Sequence, residues 1–502
     1  MTKKTDAQGG ANSILRIVFV GLSVVAQAAW IIFQILELNQ YYAWISLASS
    51  LLAVVLVLKL YSSHTNAAMK MPWIMLILVF PVMGLALYLL IVVCGDLGGT
   101  KKRLAKVRQE MLSPAESEIP KEMPWSRELV RSGNPICQNT AVKYYGEAVD
   151  AFEAMKADLE QAEKFIFMEY FVVEDGEAFR EIEEILARKT AEGVEVRLMY
   201  DDVGSIGVAN LKFVRRLNEK GIHCRVFNPA LPFVNIFMNH RDHRKITVID
   251  GKVGYTGGYN LAGEYFGYTT PYGRWKDTGL RLEGRAVRSL TRTFLELWNV
   301  TTRESGDMAA YLNECAAAES DGWVLPFGDD PLEGTRVAED LYLNLIGSAK
   351  DHIWFITPYL IITDELTRAL GLAARRGVDV RIITPGIPDK KTVYGVTRSY
   401  YAGLARQGVR IFEYTPGFCH AKMCVCDGET AVLGTSNLDY RSLYLHFEND
   451  VILHRCSAVG QMERDFWDLF GQCEEVTDKY AAGLGTIMWV WQCILRLFSH
   501  MM

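Results

Sequence analysis

The chain has 502 residues, 50% of them hydrophobic and 22% charged, with a formal net charge of −6. That length exceeds what one hydrophobic core organises, so two or more domains are expected. The composition suits a globular protein carrying some membrane-embedded sequence, and the negative balance excludes a general nucleic-acid binder while leaving room for one basic pocket.

Three apolar stretches come first, at residues 17–36, 42–60 and 72–94. Each approaches or exceeds the roughly 20 residues that a spanning helix needs. The first is too long for a signal peptide and has no small-residue cleavage site after it. Lys3, Lys4 and Arg16 precede it, Lys59 and Lys70 flank the second loop, and Lys101, Lys102, Arg103, Lys106 and Arg108 follow the third. With three full spans the positive-inside rule ties. The basic cluster after Cys94 favours a cytoplasmic catalytic part, with the N-terminus outside unless one stretch does not fully cross. Pro81 and Gly84 mark the third stretch as the kinked or shallow one.

Ten cysteines are scattered along the chain without a CxxC pair, which suits a reducing compartment better than a disulfide framework. Cys424 and Cys426 share a strand face; they read as buried thiols, with a zinc pair the weaker alternative.

From about Trp125 the pattern becomes α/β. Residues 164–173 read as a strand, 176–193 as an amphipathic helix and 194–201 as a strand. The same order returns at 351–362, 364–377 and 378–385, and the Gly-Val-acid-Val-Arg junction at Gly193 is nearly repeated at Gly377. Alternating strands and helices predict a largely parallel sheet with helices on both faces, built twice.

Each copy then carries one further strand-like segment, "HRKITVIDGKVGYTGGYN" and "HAKMCVCDGETAVLGTSN". From the histidine, the lysine lies at 2, the aspartate at 7, a glycine at 14 and an asparagine at 17 in both. Chance is a poor explanation for two copies in one context. Strand periodicity puts His243 beside Lys245 and His420 beside Lys422. If the halves meet about a pseudo-twofold axis, two His-Lys pairs converge. The lysines and the amides of Asn260 and Asn437 then form a metal-free phosphate site, with small residues before each asparagine allowing close approach.

Two histidines across a phosphorus suit a two-step displacement: one attacks, and the other protonates the leaving oxygen and deprotonates the incoming one. Each needs a carboxylate on its other nitrogen. Asp277 and Glu448, each ahead of a matching strand in its own copy, are the candidates. Asp250 and Asp427 complete the repeated motif, with a turn role weighed beside a chemical one.

These residues resemble the phospholipase D superfamily, whose signature is a duplicated H-x-K-x4-D followed by G-x-x-N. "FMEYF", "LMYDDVGS", "HRKITVIDG", "ITPYL", "RSYYAGLARQGVRIFEY", "HAKM" and "GTSNLDYRS" are similar to the bacterial cardiolipin synthases within it. The resemblance implies two tandem phospholipase D-like α/β/α domains with pseudo-twofold symmetry, preceded by N-terminal membrane helices. It implies that His243, Lys245, Asp250, His420, Lys422 and Asp427 are catalytic. It further implies transfer of a phosphatidyl group between two phosphatidylglycerol molecules, giving cardiolipin and glycerol through a phosphohistidine on His243, without metal or cofactor. Asp242, where asparagine is usual, and Cys419, where leucine is usual, depart from the pattern.

The divisions expected are a membrane region at 1–96, a basic linker at 97–124, catalytic halves at 125–320 and 321–480, and an interfacial helix at 481–502. The partners expected are phosphatidylglycerol and the bilayer of the cell membrane, with no nucleic acid; a homo-oligomer stays open. The apolar loop at 228–240 reads equally as an element dipping into the interface or as a buried loop. Trp489 and Trp491 suit a headgroup-level position. The rivals are a membrane-anchored hydrolase, another phosphatidyltransferase such as a phosphatidylserine synthase, a superfamily nuclease and a non-catalytic scaffold. The intact motifs weigh against the scaffold, and the charge and apolar segments against the nuclease.

Overall fold

The computed structural model describes residues 42–95, 98–111, 119–207, 209–229, 239–303, 308–312, 318–319, 322–482, 486–497 and 499, with isolated positions before 42. The stretch at 17–36 and most of the apolar loop at 228–240 lie outside the described residues.

The first half contributes β1 (Thr140–Tyr145), β2 (Phe165–Tyr170), β3 (Glu195–Asp201), β4 (His223–Phe227), β5 (Lys245–Ile249), β6 (Val253–Gly257), β7 (Arg274–Lys276) and β8 (Gly279–Gly284). The second contributes β9 (Trp323–Asp329), β10 (His352–Ile356), β11 (Leu360–Ile361), β12 (Asp379–Pro385), β13 (Arg410–Tyr414), β14 (Gly417–Cys419), β15 (Met423–Cys426), β16 (Thr430–Gly434), β17 (Leu438–Asp439), β18 (Glu448–His454) and β19 (Cys473–Glu475). The two large sheets run β4-β3-β2-β5-β6-β8-β1 and β13-β12-β10-β15-β16-β18-β9, the latter with β19 added at its edge. Strand for strand the order is the same, so the repeat seen in the sequence is a repeat of topology.

The sheets are mixed, not largely parallel. β2, β3 and β4 run parallel, as do β10, β12 and β13, because helices connect them. β5, β6, β8 and β1 alternate antiparallel, as do β15, β16, β18 and β9. The reason is a tight hairpin after each motif strand. Asp250 and Gly251 have φ of 54° and 67°, and Asp427 and Gly428 have 53° and 64°. Consecutive residues in the left-handed region are what a hairpin turn requires, and Asp-Gly adopts them at low cost.

Apolar side chains form three layers, a central one shared by both halves and an outer one in each half. β5 sends Ile246 and Val248 to the central layer and Ile249 to the outer one; β15 sends Met423 and Val425 to the centre and Cys424 and Cys426 outward. The cysteines therefore do share a face, buried among aliphatic side chains. The central layer also takes in the helices Val287–Thr302 and Ser457–Phe470. The first packs on its own sheet and on β9, the second on its own sheet and on β1, so each half covers part of the other.

The apolar N-terminal sequence forms helices Tyr42–Ser62, Ala67–Val79 and Pro81–Gly95. The third stretch breaks at Phe80, ahead of Pro81, and its two arms fold on each other. A Cβ at Gly84 would lie 2.7 Å from Ile77 Cα. A helix of 13 residues rises only about 20 Å, short of a hydrocarbon core of about 30 Å. No helix among the described residues is long and apolar enough to cross a membrane. Asn66 ties this region to the second half through Glu365 at 3.3 Å and the Tyr444 hydroxyl at 3.2 Å.

Candidate active site

His243 and His420 stand at the entries of β5 and β15, each just before the strand begins. Short backbone ladders between the halves set their surroundings. The His243 N–H donates to the Phe447 carbonyl at 2.9 Å, and the Phe447 N–H to the Arg241 carbonyl at 2.9 Å. On the other side β14, which leads into His420, pairs in parallel with β7, and the His420 N–H donates to the Lys276 carbonyl at 2.7 Å. The residue before each histidine is thus fastened beside the residue before the other half's carboxylate.

The carboxylates consequently cross over. His243 Nδ1 meets Glu448 at 2.8 and 2.9 Å, and His420 Nδ1 meets Asp277 at 2.8 Å. The expectation of pairing within each copy is corrected: each of the two carboxylates hydrogen-bonds the histidine of the other half. The partners are themselves held. Thr435 Oγ1 donates to Glu448 Oε2 at 2.6 Å, and the Thr278 N–H donates to Asp277 Oδ1 at 2.8 Å. A Cβ at Gly258 would lie 2.2 Å from Asp277 Oδ1, so the small residues before Asn260 make room for this carboxylate.

The lysines lie against their histidines. Lys245 Nζ donates to the His243 carbonyl at 2.5 Å, while Lys422 Nζ reaches His420 Nδ1 at 2.9 Å and donates to the His420 carbonyl. All four side chains are buried. Burial pushes Lys245 down to about 7, with the Lys422 charge adding to the loss of hydration, and pushes Lys422 down to about 8 against the pull of Asp277 and Glu448. Burial, with Lys422, pushes His420 down to about 4, against the pull of Asp277. Burial, with Lys245, holds His243 well below the usual histidine range. Both rings are therefore neutral near pH 7. With Nδ1–H turned to a carboxylate, each exposes a lone pair on Nε2.

Asp250 and Asp427 do not reach this cluster, which corrects their assignment as catalytic. They sit at the far end of five- and four-residue strands. Asp250 accepts the N–H groups of Glu163, Lys164 and Phe165 at 2.8–2.9 Å. Asp427 accepts those of Lys350, Asp351 and His352 at 2.8–3.2 Å. Each clamps the loop that enters the central strand of its sheet.

The asparagines are not equivalent. Asn260 is spent inside the protein, accepting the Val172 N–H at 3.1 Å and donating to the Tyr265 hydroxyl at 2.8 Å. Asn437 keeps a buried Oδ1 without a partner. Asp242 lies beside Glu169 and Arg244, and burial raises both carboxyls, so this departure from the usual asparagine is absorbed away from the His243 ring.

Two features escaped the sequence reading. Aromatic rings crowd His420, with Tyr265 at 5.2 Å, Trp275 at 5.6 Å and Phe418 at 6.0 Å between centroids. His446, whose ring is 5.8 Å from that of His243, lines a cavity of about 210 Å³ that reaches Thr65 and Met69 of the N-terminal region. A histidine two residues before Glu448 was a signal, but only the fold shows what it faces. His243, His446 and Glu448 bring three ligand atoms within 4.8 Å of one another. A cation there would have to coexist with the Lys245 ammonium, and the arrangement suits an anion better.

Comparison with known proteins agrees with this geometry. The family model described as cardiolipin synthase, PLD-like domain, matches residues 155–298 and 342–470, and that of the phospholipase D-nuclease N-terminal region matches 48–91. A cardiolipin synthase of Halalkalibacterium halodurans is 35% identical over 85% of this chain and 88% of its own length. The chain belongs to the cardiolipin synthase family. Another cardiolipin synthase, from Alkalihalophilus pseudofirmus, is 34% identical over 81% of this chain and 84% of its own. An uncharacterized protein of Streptococcus mutans is 40% identical over 84% and 94%. Among solved structures, the phosphatidylserine synthase of Haemophilus influenzae superposes with a TM-score of 0.56, covering 76% of this chain and 97% of that one at 15% identity. At that identity the likeness is one of fold, and it covers three quarters of this chain.

Proposed function

We propose that this chain is a cardiolipin synthase, moving a phosphatidyl group from one phosphatidylglycerol to a hydroxyl of a second and releasing glycerol. The observation that carries the reading is the pair of intact His-Lys sets, each histidine held by a carboxylate of the other half, in a chain that matches cardiolipin synthases over most of its length. His243 Nε2 attacks phosphorus, the bond to the glycerol oxygen breaks, and His420 gives that oxygen its proton. His420 then takes the proton of the second lipid's hydroxyl, whose oxygen displaces His243 from phosphorus. Lys245 and Lys422 spread the charge of the nonbridging oxygens.

The lowered histidines fit the first step, since a neutral ring is the nucleophile. For the acid role His420 must be charged, and a bound phosphodiester anion between the lysines offsets the repulsion that depresses it. One phosphodiester is exchanged for another, so the reaction needs little net driving force.

Access comes from the bilayer in this reading. The helix Thr486–Leu497 turns Leu495 inward, stacks Arg496 over Tyr400 at 4.4 Å, and leaves Val490, Trp491 and Leu497 exposed, as an interfacial helix would. Leu47, Leu51, Val55 and Leu58 of Tyr42–Ser62 are exposed apolar groups that a membrane would cover. Residue 489 and the loop at 230–238, the other expected contacts, lie outside the described side chains.

The test is a product analysis with phosphatidylglycerol labelled in its headgroup. Cardiolipin and free glycerol in equal amounts, both abolished in His243→Ala, are expected. Phosphatidic acid as the main lipid product would make water the acceptor and replace this reading with a hydrolase.

A further inference from the structure

Three buried polar atoms around the His420 side of the site have no hydrogen-bond partner: Trp275 Nε1, Asp389 Oδ1 and Asn437 Oδ1. They are connected by one aromatic wall. Trp275 packs on Phe418 at 4.8 Å and on Tyr265 at 4.9 Å, and all three rings face His420. The Tyr359 ring lies tilted to that of Phe418 at 6.4 Å, and its hydroxyl donates to Asp389 Oδ2 at 2.6 Å, leaving Oδ1 free. Asn437 directly precedes β17, whose Leu438 pairs with Leu360, the residue after Tyr359. Other buried side-chain atoms among the described residues also lack a partner; these three are set apart by their place along the aromatic wall beside His420, where a ligand can pair with them.

We infer that this wall is a subsite for a neutral polyol, with Asp389 its specificity-determining residue. The inference rests on the reading above, in which in-line displacement puts the leaving and entering oxygens opposite His243, on the His420 side. Two acceptors and one donor match the free hydroxyls of a glycerol headgroup: two O–H groups donate to Asp389 Oδ1 and Asn437 Oδ1, and one oxygen accepts from Trp275 Nε1. The carbon skeleton lies on the rings. A carboxylate beside aromatic faces could also draw an ammonium headgroup. Here that position is taken, because Lys390 Nζ lies 3.7 Å from Asp389 Oδ2 and 5.5 Å from the Tyr359 ring. The subsite therefore favours a diol over ethanolamine or choline.

The experiment compares the full-length protein in detergent with its Asp389→Asn variant, which keeps an acceptor for Tyr359. Binding of glycerol phosphate, ethyl phosphate and phosphoethanolamine is measured by calorimetry. The wild type is expected to prefer glycerol phosphate over the other two by at least tenfold, and the preference over ethyl phosphate is expected to collapse to within about twofold in the variant. A wild type without that preference, or a variant that retains it, overturns the subsite. A melting temperature for each sample separates misfolding, and if the variant unfolds, Trp275→Phe takes its place with the same two outcomes. Because binding is read without turnover, the result stands apart from whether labelled cardiolipin forms; failure of that product alone sinks the transferase reading and leaves the polyol preference to be judged on the affinities.

Discussion

A neutral imidazole attacks only from the nitrogen that lacks a proton, so whatever holds Nδ1 decides whether Nε2 is usable. In this protein that decision is made between the two halves: Glu448 governs His243 and Asp277 governs His420. The crossing yields a prediction that pairing within each half reverses. Glu448→Gln is expected to abolish the alkali-stable, acid-labile label left on His243 by phosphorus-labelled lipid. Asp277→Asn is expected to retain that label while lowering turnover. Each should cost roughly 10²–10⁴-fold in kcat, the range for losing a positioned acid–base group. Labelled peptide mapping after rapid quench reads both. The two histidines were visible in the sequence as one residue type in a repeated motif, and the two carboxylates as acids ahead of matching strand-like runs. Their pairing was not, because it depends on the backbone ladders through Phe447 and Lys276, and contacts between segments 143 and 205 residues apart leave no periodicity behind. The Asn260 amide was misjudged for a similar reason: its competitors, the Val172 N–H and the Tyr265 hydroxyl, are near only after folding.

Among elements, the hairpins after β5 and β15 explain both a success and a failure of reading. The duplication predicted two matching halves, and the sheet orders match strand for strand. A largely parallel sheet was expected because the early part of each copy alternates strand and helix. The Asp-Gly turns, which fold β5 onto β6 and β15 onto β16 as antiparallel pairs, were present in the motif itself, where a turn role was weighed beside a chemical one. Their carboxylates do structural work instead, each accepting three backbone N–H groups. Asp250→Ala loses those bonds and puts alanine at a positive φ, so a destabilisation of roughly 2–4 kcal/mol is expected. Asp250→Asn, tolerant of that φ and still an acceptor, should lose markedly less. Urea unfolding followed by tryptophan fluorescence orders the two. The folded fraction of either variant should still accept label on His243, which a catalytic Asp250 would forbid.

At the scale of the molecule, neither half can be complete alone. Each contains one nucleophile-type histidine and the carboxylate for the other. Each also leaves part of the central apolar layer uncovered, since Ser457–Phe470 packs on β1 and Val287–Thr302 on β9. The chemistry and the packing thus enforce the same union. If the chain is divided between residues 312 and 318, outside every described helix and strand, the two pieces expressed together should associate through this layer. A tag on one should recover the other, with cardiolipin formation restored to a substantial fraction of the intact chain. Each piece expressed singly should aggregate and carry no label, although each retains a full His-x-Lys motif. A first piece that folds alone and still labels His243 would mean that Glu448 is dispensable for the tautomer. The crossed pairs would then be a product of packing with no part in the transfer.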